Sequence, residues 1–355
     1  MGMRFRVFGT VIAMAAATSA ATPALAAAGH TSVVAPGQSI QAAVDAARPG
    51  DTIMVRQGTY HETVVIRTDG LTLRGAGAGK TILEPPATPN NGCGICVFGQ
   101  GDPFGAAPPT GFVSGDRISR LTVRNFAFSG VFGWGTDRLA VSEVDAFDNG
   151  GYGISRFESM RTLFKDNRVS GSGEAGFYVG DSPDAATTVT GNQAWGNDIG
   201  FFVRHAHGVT VSDNRSWGNC FGVFVLDDGQ PGGAGDVKIR DNQVSGNNRF
   251  CPATEDTPPH GGGGVVLLGA VRTRVWNNDV TNNNIAEASA IGRGGVVVAS
   301  AADSNGADAS QIVVKDNEIR RNSPADIVWD GKGTGNRFRG NDCGTSIPTG
   351  FCHRR

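Results

Sequence analysis

The sequence predicts an all-β solenoid of stacked parallel coils, and three observations carry that prediction. Gly supplies 53 of 355 residues, about twice the ordinary usage of ~7%. Because Gly costs about 1 kcal/mol per helical position relative to Ala, long helices are excluded over most of the length. Val189-Thr-Gly-Asn192-Gln-Ala-Trp195-Gly-Asn197-Asp-Ile-Gly200-Phe-Phe-Val203 also matches Val211-Ser-Asp-Asn214-Arg-Ser-Trp217-Gly-Asn219-Cys-Phe-Gly222-Val-Phe-Val225 position for position, at an offset of 22. Finally, the apolar runs inside each unit have the length of strands rather than helices. The 39% apolar content excludes disorder, and the glycines do not recur every third residue, which excludes collagen.

The repeat frame is V-x-x-N-x-x-x-x-N followed by Gly and three apolar residues. Its first Asn falls at Asn125, Asn167, Asn192, Asn214, Asn242, Asn278 and Asn317, with Val144 standing in once. Its second falls at Asn149, Asn197, Asn219, Asn247, Asn283 and Asn322. A unit of this size cannot bury its own apolar face, so neighbouring units must stack. Parallel stacking places equivalent residues about 4.8 Å apart. Asn suits such corners because it tolerates left-handed backbone angles and hydrogen-bonds to the Asn of the next coil.

In chain order, Arg4 and Arg6 precede an apolar stretch over 7–17, and Ala24-Leu25-Ala26 carries small residues where a signal peptidase reads. Residues 1–26 are therefore expected to be a signal peptide and the mature protein to be secreted. A membrane anchor needs ~20 apolar residues, and Pro23 interrupts this shorter run. No second apolar span follows, so no membrane span is expected in the mature chain. Ser39 is placed to cap a short helix with Ile40, Ala43, Val44 and Ala47 on one face, stopped by Pro49-Gly50. That helix would close the N-terminal edge of the stack. Gly75 to Thr81 resembles a phosphate loop but has Arg74 where the first Gly is needed, and reads as a turn. His61-Glu62 reads as structural. Coils fill residues 33–342, and 343–355 read as a C-terminal cap. Insertions at Gly99–Asp116, Arg249–Gly262, 285–293 and 301–309 break the period, and loops on one side of a solenoid wall a binding face.

Six cysteines in an exported chain form an even set. Proximity pairs Cys93 with Cys96, Cys220 with Cys251 and Cys343 with Cys352. Only Cys93 and Cys96 have zinc-type spacing, and no second pair completes a tetrahedral site. The 31 basic against 33 acidic residues supply no electrostatic case for a nucleic acid or an anionic membrane.

The opening segment runs Pro36-Gly37-Gln38-Ser39-Ile40-Gln41-Ala42-Ala43-Val44, then Pro49-Gly50-Asp51-Thr52-Ile53, then Gly58-Thr59-Tyr60-His61-Glu62. With the repeat, it resembles the right-handed parallel β-helix superfamily that includes pectate lyases, polygalacturonases and alginate epimerases. The resemblance covers residues 33 to 342. It implies a single-stranded right-handed parallel β-helix of the pectin-lyase type, with a short N-terminal capping helix. That superfamily holds lyases, hydrolases, epimerases and non-catalytic binders, so the chemistry must be sought in a site.

Strand alternation turns the first and third apolar residues after each frame Gly toward the core and the second toward solvent. The outward column reads Phe132, Gly153, Tyr178, Phe202, Phe224, Val266, Val297 and Val328. Tyr178, Phe202 and Phe224 make an aromatic ladder, either a sugar-stacking surface or packed filler. Just after these strands the equivalent positions read Gly135, Arg156, Asp181, His205, Asp227, Gly269 and Ser300, with Arg204, His207 and Asp228 beside them. The bland alternative is a solvated corner of paired charges.

Chemistry supplies a use for these residue types. Removing the proton next to a uronate carboxylate needs a base, and the developing charge needs Arg or a metal. His205 or Tyr178 is the candidate base or acid, and Arg204 or Arg156 the carboxylate binder. Asp181 and Asp227 would orient His205 or hold Ca²⁺, while Phe202, Phe224, His207 and Asp228 would line the substrate. Elimination makes a lyase; return of the proton to the opposite face makes an epimerase. Tyr178-Val-Gly-Asp181 is similar to the Tyr-x-x-Asp part of the alginate epimerase motif, but Ser182-Pro183-Asp184 replaces the Pro-His that follows in that family. Asp227-Asp228 is similar to the paired aspartates of polygalacturonases, although the Asn-Thr-Asp element is missing and His207-Gly208 precedes the pair. The expected reading is a secreted monomer acting on an acidic polysaccharide as lyase or epimerase. The alternatives are a non-catalytic carbohydrate- or surface-binding solenoid and an inverting hydrolase.

Overall fold

Each coil contributes one short strand to each of three parallel sheets, of 12, 11 and 11 strands. The computed structural model describes residues 29–88, 92–255 and 257–353, and the expected signal peptide lies outside them. Sheet I runs from Thr31–Val34 to Arg337–Arg339, sheet II from Gly58–His61 to Asp342–Cys343, and sheet III from Val64–Ile66 to Ser346–Ile347. The stack thus continues past the expected boundary at 342. Strands are short because the side-chain period of two needs only a central residue pointing inward. In sheet I, Val141, Phe164, Val189, Val211, Ile239, Val275 and Val314 stack in register, none more than 2% exposed.

The asparagines form two buried ladders. Along Asn167, Asn192, Asn214, Asn242, Asn278, Asn317 and Asn341, each Oδ1 accepts the backbone N–H of the preceding Asn at 2.8 to 3.2 Å. Asn197, Asn219, Asn247, Asn283 and Asn322 repeat the pattern. The left-handed angle belongs to the residue before each Asn, however. Asp166, Gly191, Asp213, Asp241, Asn277 and Asp316 have φ of 54 to 70°. Asn125 is no member of the first ladder: Thr122 pairs with Asp145, so Leu121 is the partner of Val144. Asn192→Ala is expected to cost about 2–3 kcal/mol in urea unfolding, because it strands the buried Asn167 N–H and amide.

The frame glycines answer a close approach rather than a turn. A Cβ on Gly200 would lie 2.5 Å from Gly222 O, and one on Gly222 would lie 2.7 Å from Gly264 O.

Both ends are closed. Ser39 accepts from Ala42 N at 3.1 Å to cap helix Ile40–Asp45. Glu62 accepts from Ser39 Oγ, Ile40 N and Gln41 N at 2.8, 2.7 and 3.0 Å, which is the structural role expected of it. At the far end Phe338 stacks on Phe351 at 4.3 Å beside Trp329. The cysteines pair as proximity indicated, Cys93–Cys96, Cys220–Cys251 and Cys343–Cys352.

Candidate active site

Sheet III turns Val131, Ile154, Phe177, Phe201, Val223, Val265 and Val296 into the core, and Phe132, Ser155, Tyr178, Phe202, Phe224, Val266 and Val297 away from it. The expected facing is correct; the expected exposure is not. Tyr178 and Phe224 are 1% and 7% exposed and join Tyr152, Ile199 and Phe221 in a second apolar cluster. Phe202 stacks on Phe224 at 5.0 Å and meets Tyr178 edge-on at 5.4 Å. Phe202, half-buried, is the rung of this trio that keeps substantial surface for a ligand; the expected stacking role of Phe224 does not survive its burial.

One coil is out of frame with the sequence reading. Gly153, not Gly151, stacks between Gly130 and Gly176, so Ser155 takes the outward place expected of Gly153. The shift carries Arg156 inward, opposite Val179. Arg156 is 0% exposed and cannot touch a substrate. Its guanidinium donates to Ser182 Oγ, to Thr187 Oγ1 at 2.8 Å and to the Gly180 and Ala185 carbonyls at 3.4 Å each. Burial depresses its pKa to about 9, with the Tyr178 and Asp181 charges opposing.

Glu158 occupies the corner column that Arg156 was expected to hold. The column reads Gly135, Glu158, Asp181, His205, Asp227, Gly269 and Ser300. Glu158, Asp181 and His205 have φ of 46, 53 and 47°, which swings their side chains out of the strand's alternation. Burial first, then the Asp181 charge, pushes the Glu158 carboxyl up against an opposing hydrogen bond from Trp134. Taking Gly153 as the frame glycine of this coil is what brings Glu158 into the column.

The centre of the site is His205, 3% exposed. Its Nδ1 meets Asp181 Oδ1 at 3.0 Å and its Nε2 meets Asp228 Oδ1. Arg204 donates from Nε and one terminal nitrogen to Asp228 Oδ2, at 3.0 and 2.6 Å. Tyr178 Oη is 3.5 Å from Asp181 Oδ2. Burial, the largest single influence on His205, disfavours its charge, and the two carboxylates outweigh it, so its pKa stands above the ordinary value. Burial likewise opposes the Asp228 charge, and His205 and Arg204 outweigh it, so that carboxyl stays below its usual range. Burial, then the Asp181 charge, pushes the Tyr178 phenol up. The cluster thus favours the protonated imidazole of His205 and the protonated phenol of Tyr178. Asp181 and Arg204 keep over a third of their side-chain surface and are the members of the cluster most open to solvent.

Two expected members lie elsewhere. Asp227 accepts from Gly229 N at 3.0 Å and Ala307 N at 3.3 Å, tying two loops together; the adjacent Asp228 takes the place at His205. Asp181, the other residue expected to orient His205 or hold calcium, meets His205 and Tyr178 instead of Asp227. His207 sits around the corner, with Nδ1 2.9 Å from Asp236 and Nε2 2.8 Å from Gly232 O.

The insertions flank this face. Hairpin Phe250–Cys251/His260–Gly261 is bonded to Cys220, and Gly261 and Gly262 pack on Ile285. Across the sheet, Gly229 packs on Asn305 and Gly269 on Ala301. Phe104 covers Phe98 and Phe132 at 6.1 and 6.0 Å.

Comparison with known proteins places this architecture. A family profile described as right handed beta helix region matches residues 129–305. No curated protein matches. The A-module of mannuronan C-5 epimerase AlgE6 from Azotobacter vinelandii is similar at a TM-score of 0.58 and 18% identity, covering 85% of this chain and 88% of that one. The AlgE4 A-module of the same organism gives 0.56 and 18% over 85% and 91%. DFA-IIIase from Arthrobacter chlorophenolicus A6 gives 0.60 and 14% over 85% and 77%. At such identities the likeness is one of fold. Three parallel sheets, two Asn ladders and the matched profile agree: the chain is a right-handed parallel β-helix protein.

Proposed function

We propose that the protein acts on a uronic-acid-containing polysaccharide, outside the cell, as a lyase or C5-epimerase. The observation that carries the reading is the His205 cluster, in which two carboxylates, an imidazole, a phenol and a guanidinium from adjacent coils share hydrogen bonds. Arg204 binds the uronate carboxylate and neutralises the charge that develops on it. Asp181 removes the proton at the adjacent carbon, and His205 and Tyr178 behind it supply a proton. Donation to the departing sugar oxygen completes elimination; donation to the opposite face of the same carbon completes epimerisation. The similar epimerase A-modules, named for C-5 epimerisation of mannuronan, support this substrate class.

A second reading rests on Glu158. Its raised carboxyl one coil from Asp181 would suit a general acid beside a carboxylate, as in glycoside hydrolysis.

The test is incubation with alginate, pectate, a glycosaminoglycan and a neutral glucan, each with and without Ca²⁺. Growth of unsaturated-uronate absorbance marks elimination, and deuterium uptake from heavy water without it marks epimerisation. New reducing ends with neither signal would favour hydrolysis. Binding without any turnover, unchanged in His205→Ala, would overturn catalysis in favour of a binding solenoid.

A further inference from the structure

Strands Lys238–Arg240, Arg274–Trp276, Val313–Lys315 and Arg337–Arg339 lie in register in the last four coils of sheet I. Their central residues face the core, leaving eight side chains outward. Six are cations, Lys238, Arg240, Arg274, Lys315, Arg337 and Arg339; the others are Trp276 and Val313, and none is acidic. The eight preceding strands of the sheet present 16 equivalent positions with three cations, Arg74, Arg117 and Lys165. The charge is therefore local to these coils.

Arg240 and Lys315 pair with the neighbouring Asp241 and Asp316. Among the described residues, Lys238, Arg274, Arg337 and Arg339 have no carboxylate within 4.0 Å. Lys238, Arg274 and Arg337 line a groove of about 790 Å³, with Arg272 held by Asp236 at its edge. Stacking sets Lys238 and Arg274 about 4.8 Å apart and Arg274 and Arg337 about twice that. Like charges opposite one another destabilise a sheet, and an anionic chain laid along the helix axis would relieve that repulsion. Trp276, in register between Arg240 and Lys315 in the second outward column, adds a flat apolar surface suited to a sugar ring.

We propose that this groove is a second binding surface for a carboxylated polysaccharide, anchoring the chain on the sheet adjoining the His205 cluster. The ligand class rests on the proposed function; the surface does not. The whole-chain charge of -2 argues against a nucleic acid as occupant.

The test measures binding of the full chain to alginate, polygalacturonate, dextran and duplex DNA at low salt and at about 0.5 M salt. Arg274→Glu with Arg337→Glu is expected to weaken uronan binding at least tenfold. Arg274→Lys with Arg337→Lys should retain it, and high salt should reproduce the loss. Turnover of short oligosaccharides should stay unchanged in both. Uronan binding undiminished in the Glu variant at an unchanged thermal midpoint overturns the proposal, as does equal binding to dextran or tighter binding to DNA. Should no glycan be turned over while the Glu variant still loses uronan binding, the proposed catalysis fails and the groove stands.

Discussion

Asp181→Asn is expected to lower turnover on the acidic polysaccharide by about 10²- to 10⁴-fold, the usual worth of a positioned general base. Its thermal midpoint should change little, because the amide has the same shape, keeps one oxygen to accept from His205 Nδ1 and can turn its NH2 toward the Tyr178 hydroxyl oxygen. Turnover within tenfold of the native protein would remove Asp181 from the mechanism. The pH profile supplies a separate readout. His205 donates only while protonated, and Asp228 helps hold its pKa above the ordinary 6.5. Asp228→Asn should therefore move the alkaline limb of the profile to lower pH, and an unmoved limb would contradict His205 as donor. The same pair contributes stability over a defined window. The His205 part is fully present below the ordinary value and is lost as pH rises through the raised one. The Asp228 part is present above the usual 3.8 and is lost as pH falls through its lowered value.

Arg156→Ala should destabilise the fold by about 3–5 kcal/mol, as removal of a buried charged side chain leaves both a cavity and unpaired acceptors. Among the described residues no carboxylate pairs with the guanidinium, and its Nε has no hydrogen-bond partner. Arg156→Met, which keeps the volume without the charge, should cost much less. Urea unfolding of both variants decides the matter, and a loss under about 1 kcal/mol for Ala would contradict the buried assignment. A further effect is expected on turnover, because Arg156 holds Gly180 O and Ser182 Oγ on either side of Asp181. The folded state binds the Arg156 proton less tightly than the unfolded chain does. Its destabilising contribution is therefore complete at neutral pH and eases as pH rises above about 9.

Much of this was legible from residue order. The alternation of Phe177, Tyr178 and Val179 told inside from outside, and the Asn spacing announced the ladders. Exposure was not legible: the outward side chains of sheet III pack on one another across coils, Tyr178 on Tyr152, Phe157 and Phe202 and Phe224 on Phe202 and Phe221, so Tyr178 and Phe224 point away from the core and are buried all the same. The register of residues 151–157 was equally open, since Gly151 and Gly153 both offer a frame glycine. Only the clash of a Cβ with the next coil selects Gly153, and with it the exchange of Arg156 for Glu158.

Residue order alone specified the β-helix, because a period repeated along the chain is also a period in space, and proximity along the chain indicated the three disulfides. The choice between Asp227 and Asp228 at His205 belonged to the tertiary structure. Neighbouring aspartates are equivalent in sequence, and the amides of Gly229 and Ala307, the latter far along the chain, claim one and leave the other for the imidazole.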